Sequence, residues 1–281
     1  MIAYLFPGQG AQYGGMGKEL YDSSLPARQI FNRADALLGW SLSELMFNGT
    51  DDDLAETRIT QLSVFVHSVA SLEADMNRRR PGIVAGHSLG EYSALVAAEV
   101  LSFEDALMLV DARGKCMSMI DGAMAAIIGL SSVEAERICK NFENVYVANY
   151  NCLEQIIISG PNDILPVVCG AAQEVGARHA FLLDVSIPSH CPLMKSAQDQ
   201  FTPYLNKTIF RQPICPICQN VDGKLHTDCD EIKRNLLAQL VSPVRWRESM
   251  MNMMNAGVTD FVEYGPGDTL TELTRKIKKG I

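Results

Sequence analysis

The 281-residue sequence lacks the features that mark a membrane protein or a nucleic-acid-binding protein. No apolar run is long enough to cross a bilayer, and the first one, residues 2–6, has neither the length nor the basic flank of a secretory signal. The chain has 24 Lys and Arg against 33 Asp and Glu, so its net charge of −9 leaves no excess for neutralising phosphates. We therefore expect a cytoplasmic protein that binds neither membranes nor nucleic acid.

The sequence also offers little from which a metal or redox site can be built. Its eight cysteines are scattered through apolar stretches, which is typical of free thiols in a reducing compartment. Cys215 and Cys218 form one CxxC pair, but a zinc site needs a second ligand pair at suitable spacing, and the sequence has none. The Gly-rich loop at residues 7–12 lacks the Gly-Lys-Ser/Thr end of a P-loop. We expect neither a metal nor another cofactor.

The stretch with the most chemical content is Gly86-His87-Ser88-Leu89-Gly90, a G-x-S-x-G pattern. An apolar run precedes it and a helical pattern follows it. In such a strand–turn–helix context the glycines permit a sharp turn that exposes the serine hydroxyl at a helix N-terminus. The N–H groups and dipole of that helix favour a developing negative charge. A Gly-Ser turn without chemistry is the alternative, since the pattern also occurs by chance.

The alternation of strands and helices predicts an α/β protein with a mostly parallel sheet covered on both faces. Between residues 123 and 185 the predicted order becomes β-α-β-β-α-β, which is the order of a ferredoxin-like unit of about sixty residues. We therefore predict a core formed by residues 1–122 and 187–281, with a ferredoxin-like subdomain, residues 123–186, inserted into it.

Two charged or titratable residues stand out by their positions. Arg113 lies on the apolar stripe of a predicted helix, four residues after Leu109 and four before Met117. A guanidinium is costly to bury without an anion, so either an internal Asp or Glu or an anionic group of a substrate should pair with it. His190 lies between two prolines that stiffen the chain, and a loop or capping histidine is the alternative to a catalytic one.

Six ordered motifs together resemble the malonyl-CoA:acyl-carrier-protein transacylase family, and the resemblance covers essentially the whole chain. They are Phe6-Pro7-Gly8-Gln9-Gly10, Gly86-His87-Ser88-Leu89-Gly90-Glu91, Ala112-Arg113-Gly114-Lys115, Asn149-Tyr150-Asn151, Pro188-Ser189-His190-Cys191 and Glu263-Tyr264-Gly265-Pro266-Gly267. The resemblance implies an α/β-hydrolase-like core with an inserted ferredoxin-like subdomain. It also implies transfer of a malonyl group from malonyl-CoA to acyl carrier protein in fatty acid synthesis, with the coenzyme A thioester as substrate.

Catalytic roles follow from the resemblance, residue by residue. It implies that Ser88 is the nucleophile and that His190 is its general base. The backbone carbonyl of Gln239 would orient the histidine. The backbone N–H groups of Gln9 and Leu89 would form the oxyanion hole.

Substrate contacts are implied in the same way. Arg113 would pair with the malonyl carboxylate, and Gln61 and Asn151 match polar positions of the active site. The chain departs from the family where Leu62 follows Gln61 in place of a proline, and where residues 152–155 replace a commoner Ser-Pro-Gly-Gln. The connection after the Arg113 helix is also shorter than usual, and these departures concern substrate selectivity more than the chemistry.

Three other functions share parts of this pattern. A trans-acting acyltransferase of a polyketide synthase would use the same chemistry with another carrier. An acyl hydrolase would pass the acyl group to water, against which Arg113 argues, and a non-catalytic carrier-binding module would lack the serine or the histidine. An acidic carrier would need a basic surface, for which residues 78–80 and 275–279 are candidates on charge alone, although residues 78–80 are more simply a solvated loop. We expect a monomer.

Overall fold

Two β-sheets organise the chain in the computed structural model, which describes residues 1–280. The strands are β1 (Ile2–Phe6), β2 (Ile83–Gly86), β3 (Ala123–Ile128), β4 (Tyr146–Cys152), β5 (Gln155–Gly160), β6 (His179–Leu182), β7 (Ile217–Cys218), β8 (Leu225–His226) and β9 (Asp260–Glu263). The helices are α1 (Lys18–Ser23), α2 (Leu25–Leu38), α3 (Leu42–Asn48), α4 (Thr57–Ala74), α5 (Gly90–Ala97), α6 (Phe103–Met117), α7 (Ser132–Cys139), α8 (Leu165–Glu174), α9 (Lys195–Lys207), α10 (Cys229–Ala238), α11 (Trp246–Asn255) and α12 (Thr269–Lys279).

The first sheet has the strand order β8-β7-β2-β1-β9, and all of its pairs except β7–β8 are parallel. Side chains alternate across it, so that Tyr4 and Phe6 enter the larger apolar cluster while Ala3 and Leu5 enter the cluster covered by α11 and α12. Strands buried on both faces need continuous apolar runs, which β1 provides. The predicted α/β class with a mostly parallel sheet is confirmed.

The second sheet is antiparallel, with the order β4-β5-β3-β6, and its elements follow one another as strand, helix, strand, strand, helix, strand. One face packs with α7 and α8 around a separate apolar cluster. The other face carries a small apolar cluster, Met124, Ala126, Ala148 and Ile157. Residues of this cluster line cavities that they share with the loops following β1 and β2. Val244, in the segment before α11, exchanges two 2.8 Å backbone hydrogen bonds with β4 and so ties the second sheet to the C-terminal part of the chain.

Several predicted boundaries differ from the observed ones. The sequence pattern predicts a strand over residues 214–220, but only Ile217 and Cys218 pair, because Pro216 has no N–H to donate to a ladder and the Ile214 N–H bonds the Ala98 carbonyl instead. The sequence pattern predicts a helix over residues 231–241, whereas α10 ends at Ala238 and a 3₁₀ turn, Gln239–Val241, follows it. Within residues 1–280, none of the helices combines the length and the apolarity that a membrane span requires.

Candidate active site

Ser88 occupies a tight turn between the end of β2 and the start of α5. Its φ of 52° lies in the left-handed region, which costs a non-glycine residue about 1–3 kcal/mol. A Cβ on Gly86 would lie 1.9 Å from the carbonyl carbon of Gly90, and one on Gly90 would lie 2.0 Å from the carbonyl oxygen of Phe6. The glycines of the motif are therefore needed for close backbone approach, and the turn stands at the carboxyl ends of parallel strands, where α/β proteins bind ligands.

His190 lies in hydrogen-bonding contact with the serine. Its Nε2 is 2.7 Å from Ser88 Oγ, and its Nδ1 is 2.9 Å from the backbone carbonyl of Gln239. A carbonyl only accepts, so Nδ1 carries the proton and Nε2 is free to accept the serine proton. Burial and the charge of Arg113 lower the pKa of His190 to about 3, which keeps this base neutral at physiological pH.

The 3₁₀ turn after α10 places the Gln239 carbonyl against the histidine. This oxygen accepts a long 3.4 Å bond from Ser242 within the turn, and its second lone pair accepts from His190. His190 itself has a φ of 62° and is 2% exposed. Both members of the serine–histidine pair are thus held in a left-handed conformation by the surrounding structure.

Arg113 projects from α6 into the same site and is 1% exposed. Its Nη1 donates to Gln61 Oε1 at 2.7 Å, and its Nη2 donates at 3.2 Å both to Ser88 Oγ and to Gln239 Oε1. Nε has no acceptor, and the Tyr92 ring centroid is 5.8 Å from Cζ. No carboxylate of residues 1–280 lies within 4.0 Å of this guanidinium. Of the two partners expected for Arg113, an internal Asp or Glu is therefore not found.

Gln61 and Asn151 have different surroundings. Gln61 is fully buried on α4 and is bonded to Arg113, with its Nε2 3.6 Å from Met117 Sδ. Asn151 lies on β4 and meets His87, with 2.9 Å between Asn151 Oδ1 and His87 Nε2. The structure therefore places Gln61 within the Arg113 network and Asn151 beside it.

Gln9 and Leu89 lie on either side of the serine turn, in the loop after β1 and directly after Ser88. Within residues 1–280, neither backbone N–H donates to an internal acceptor. Gln9 lines a cavity of about 80 Å³ together with Ser88, Arg113 and His190. Because about 10–15 Å³ of such a cavity is enough for one water, this space admits a small group of several heavy atoms.

The apolar wall of this cavity comes from the second sheet and its flanks, through Met124, Leu183 and Val185. A larger cavity of about 320 Å³ continues from Gln9 between the two sheets to Gln155. The serine is therefore reached through a cleft between the two parts of the chain.

The sequence interpretation missed two polar residues beneath the turn. Asn220 accepts a 2.6 Å hydrogen bond from the Ser88 backbone N–H, and Glu91 accepts from Gln239 Nε2 at 2.9 Å. Glu91 is 1% exposed and Asn220 is fully buried. Glu91 resembles an ordinary acidic residue in a first helical turn, while nothing in its local sequence distinguishes Asn220.

The two basic segments lie in different places. Arg78, Arg79 and Arg80 precede β2, at the edge of the first sheet opposite Ser88, and Arg78 donates to Glu73 at 3.1 Å. Lys276 and Lys279 of α12 line a cavity of about 410 Å³ that shares Gln155 with the cleft. Only the second segment therefore borders the route to the serine.

The cysteines are unpaired throughout residues 1–280, and the CxxC pair is buried. Burial raises the pKa of Cys215 to about 11 and that of Cys218 to about 12. In the described part of the chain no three His, Cys, Asp or Glu residues are grouped as metal ligands.

Comparison with known proteins adds a family to this geometry. The acyl transferase domain model matches residues 3–279. The malonyl CoA-acyl carrier protein transacylase of Bacillus subtilis is 40% identical over 287 residues, which covers 99% of this chain and 90% of the relative. That of Staphylococcus aureus strain MRSA252 is 38% identical, covering 99% and 93%.

Solved structures agree with these relatives. The malonyl CoA-acyl carrier protein transacylase of Coxiella burnetii superimposes with a TM-score of 0.95 at 37% identity, covering 99% of this chain and 91% of that one. A malonyl-transacylase in complex with a holo type II polyketide synthase acyl-carrier protein gives 0.95 at 38% identity, covering 99% and 93%.

Proposed function

The chain belongs to the acyl transferase family, and from this premise we propose that it transfers a malonyl group from malonyl-CoA to the phosphopantetheine thiol of an acyl carrier protein, supplying fatty acid synthesis. The observation that carries this proposal is a buried guanidinium without a carboxylate partner, Arg113, whose Nη2 lies 3.2 Å from Ser88 Oγ. A buried cation beside a nucleophile suits an acyl group that carries its own negative charge.

The first half-reaction forms a malonyl-serine ester. His190 Nε2 takes the proton of the Ser88 hydroxyl as Oγ attacks the thioester carbonyl, since an unassisted hydroxyl is a weak nucleophile. The N–H groups of Gln9 and Leu89 would stabilise the resulting oxyanion, each by about 2.7–4 kcal/mol. When the carbon–sulfur bond breaks, the coenzyme A thiolate takes the proton from His190 and leaves.

The second half-reaction returns the enzyme to its starting state. The carrier thiol gives its proton to His190, its sulfur attacks the ester carbonyl, and the Ser88 oxygen leaves with that proton. One covalent ester shared by two half-reactions predicts ping-pong kinetics. The proposed chemistry uses only acid–base and nucleophilic groups of this chain, so the proposal needs no cofactor, and the coenzyme A thioester is the substrate.

The remaining polar contacts bear on substrate selection. Gln61 holds one side of the guanidinium at 2.7 Å, so that its fork presents a fixed orientation to a carboxylate. Asn151 and the neighbouring His87 line the cleft through which the pantetheine arm would enter. We assign Gln61 to orienting Arg113 and Asn151 to the entrance.

A second candidate differs only in its carrier. The neighbour solved with a polyketide acyl-carrier protein supports a polyketide assembly line as the alternative destination of the malonyl group. Arg113 weighs against a hydrolase acting on simple acyl chains, and the presence of both Ser88 and His190 weighs against a non-catalytic module.

The carrier would dock where α12 meets the cleft. Lys276 and Lys279 line the 410 Å³ cavity together with Arg178, which is paired with Glu154, and an acidic carrier would complement the charge of the two lysines. The charge-reversal pair Lys276→Glu and Lys279→Glu should raise the Michaelis constant for the carrier and leave acylation by malonyl-CoA unchanged. An unchanged constant would remove this surface, and the same reversal at Arg79 serves as the control.

The proposed architecture is an α/β-hydrolase-like core, residues 1–122 and 187–281, with a ferredoxin-like insert, residues 123–186. The separate apolar cluster and the β4-β5-β3-β6 order of the second sheet support this division. One chain supplies every proposed site residue, which supports a monomer, and its unpaired thiols support a cytoplasmic location.

Intact-mass spectrometry after brief mixing with malonyl-CoA tests the function. We expect a malonyl adduct on the protein, its absence in Ser88→Ala, and its discharge by holo acyl carrier protein. Discharge by water at the same rate would establish a hydrolase instead. Failure of malonyl-CoA alongside labelling by another acyl-CoA would keep the mechanism and overturn the substrate.

A further inference from the structure

The Ser88 turn leaves two backbone groups without strand partners, and one side chain satisfies both. β2 ends at Gly86, and its neighbour β7 ends at Cys218, two residues before Asn220. Asn220 Oδ1 accepts from the Ser88 N–H at 2.6 Å, and its Nδ2 donates to the Gly86 carbonyl at 2.7 Å. The amide of Asn220 thus continues the β2–β7 ladder around the turn after the backbone of β7 has left it.

Asn220 is in turn fixed by Glu91. The Asn220 backbone N–H donates to Glu91 Oε1, and the second carboxylate oxygen accepts from Gln239 Nε2 at 2.9 Å. That same amide nitrogen donates to the Ser88 carbonyl at 2.9 Å. Because both oxygens of Glu91 face N–H donors, the geometry is that of an ionised carboxylate.

The side chain of Gln239 connects this group to Arg113. Its Oε1 accepts from Arg113 Nη2 at 3.2 Å, while its Nε2 faces Glu91 and the Ser88 carbonyl. The opposite amide orientation would set an NH₂ against the guanidinium and an oxygen against two acceptors, so the network determines the assignment. The buried anion nearest in the network to Arg113 is therefore Glu91, with one amide between them.

We propose that Glu91, Asn220 and the side-chain amide of Gln239 form a clamp beneath the nucleophile, which holds Ser88 in its left-handed conformation and joins it to the carboxylate-binding Arg113. They are positioning residues, because none of them touches the acyl group, and their role rests on the proposed acyl transfer. The clamp couples the two parts of the reaction, since a shift of Arg113 is passed through Gln239 to the serine backbone and to the carbonyl that orients His190.

The charges around Glu91 give the clamp a pH signature. Arg113 faces Glu91 from α6, Cys218 faces it from β7, and Asp222 faces it from the segment after β7. Tyr92 follows Glu91 on α5. Burial raises the pKa of Glu91 to about 8, although its hydrogen bonds and Arg113 favour the ionised form. Protonation of the Glu91 carboxylate would set an O–H against N–H donors and loosen the clamp. His190 stays neutral over the same pH range, so it does not contribute to this pH dependence.

The test compares acylation by malonyl-CoA in Asn220→Ala with that in Gln219→Ala, a change to the adjacent buried amide, which contacts Ile232 and Asn235 but not the turn. Two orphaned backbone groups should lower kcat for Asn220→Ala by about 10- to 100-fold with little change in KM. Gln219→Ala should keep the wild-type rate. Equal rates in the two folded variants would overturn the clamp.

Glu91→Gln provides a second, nearly isosteric measurement where Asn220→Ala does not fold. The wild-type kcat should fall as the pH is lowered through about 8, and in Glu91→Gln this dependence should vanish at a lower plateau. An identical pH profile in the two proteins would overturn the assignment of Glu91. A wild type that forms no malonyl adduct would overturn the proposed function and the clamp with it, so the two failures are distinguishable.

Discussion

Replacing Arg113 by Met separates the recognition of a carboxylate from the chemistry of acyl transfer. Met has a similar length and no charge, so Arg113→Met removes the guanidinium fork while filling much of the same buried volume. The acyl carboxylate would then be buried without a partner. Acetyl-CoA has no such group, so its reaction with Ser88 should lose only the contacts that Arg113 makes with Ser88 Oγ and Gln239, and should fall much less.

The magnitude follows from the burial of Arg113, which is 1% exposed. Truncating one partner of a buried, hydrogen-bonded charge pair costs about 2–5 kcal/mol, and each 1.4 kcal/mol is tenfold, so malonyl transfer should fall about 30- to 3,000-fold. Folding stability should change far less. Removing a buried cation without a carboxylate partner stabilises the folded state, whereas Gln61 and Gln239 each lose a hydrogen-bond donor, which destabilises it. Because these two contributions oppose each other, we expect the Tm of Arg113→Met to stay within about 5 °C of the wild-type value.

The assay is the rate of acyl-enzyme formation with malonyl-CoA and with acetyl-CoA, read by intact mass alongside a thermal melt. Arg58→Met is the matched control, because Arg58 bonds the buried Asp111 of α6 at 2.6 Å and hydrogen-bonds no proposed site residue. It should lower Tm and leave the malonyl-to-acetyl ratio unchanged. A loss of equal size for both substrates in Arg113→Met would refute the assignment and make Arg113 a structural residue.

Three further outcomes follow from the structure. Gly90→Ala should abolish labelling of Ser88 and lower Tm, since the new Cβ would lie 2.0 Å from a backbone oxygen. Its control is Gly170→Ala, at an exposed position of α8 with open space around it, which should raise the free energy of unfolding by about 0.5–1 kcal/mol in chemical denaturation. A thiol reagent should label one cysteine rapidly in the native protein, Cys229, because the other seven are buried, and rapid labelling of two or more would contradict this. The unfolded chain binds a proton at His190 near pH 6.5 and the folded chain only near 3, so its contribution to stability is complete above about 6.5 and is lost as the pH falls; Tm of His190→Gln should therefore fall less steeply than wild type between pH 6.5 and 5.

The parts of the fold that sequence predicted well depend on local patterns. The apolar run of residues 155–160, which ends at a glycine, predicts a strand, and β5 is observed with those bounds and pairs on both sides. The G-x-S-x-G motif carries its own geometric requirement, and together with the apolar run before it and the helical pattern after it, it predicts the strand–turn–helix observed at Ser88. Prolines, by contrast, shortened β7 in a way that hydropathy does not register.

Outside the motifs, a site residue could be predicted from the sequence only where its side chain does not suit its position, such as a charged side chain on an apolar helix face. Arg113 on an apolar helix stripe had to have a partner, but the sequence left two kinds of partner open, and only the structure shows neutral oxygens around it. Asn220 presents no such conflict. It acts on Ser88 from 132 residues away, where periodicity and spacing carry no information.

The active site concentrates conformations and charges that a folded chain ordinarily avoids. Ser88 and His190 both have positive φ values, 52° and 62°, and each costs about 1–3 kcal/mol. Arg113 and Glu91 are both almost completely buried. These groups interact through one residue: Gln239 bonds His190 with its carbonyl, and Arg113, Glu91 and the Ser88 backbone with its side chain. A substitution at Gln239 should therefore disturb the base, the nucleophile and carboxylate recognition together. A substitution at Arg113 should mainly affect recognition of the carboxylate, and one at Asn220 should mainly affect the nucleophile.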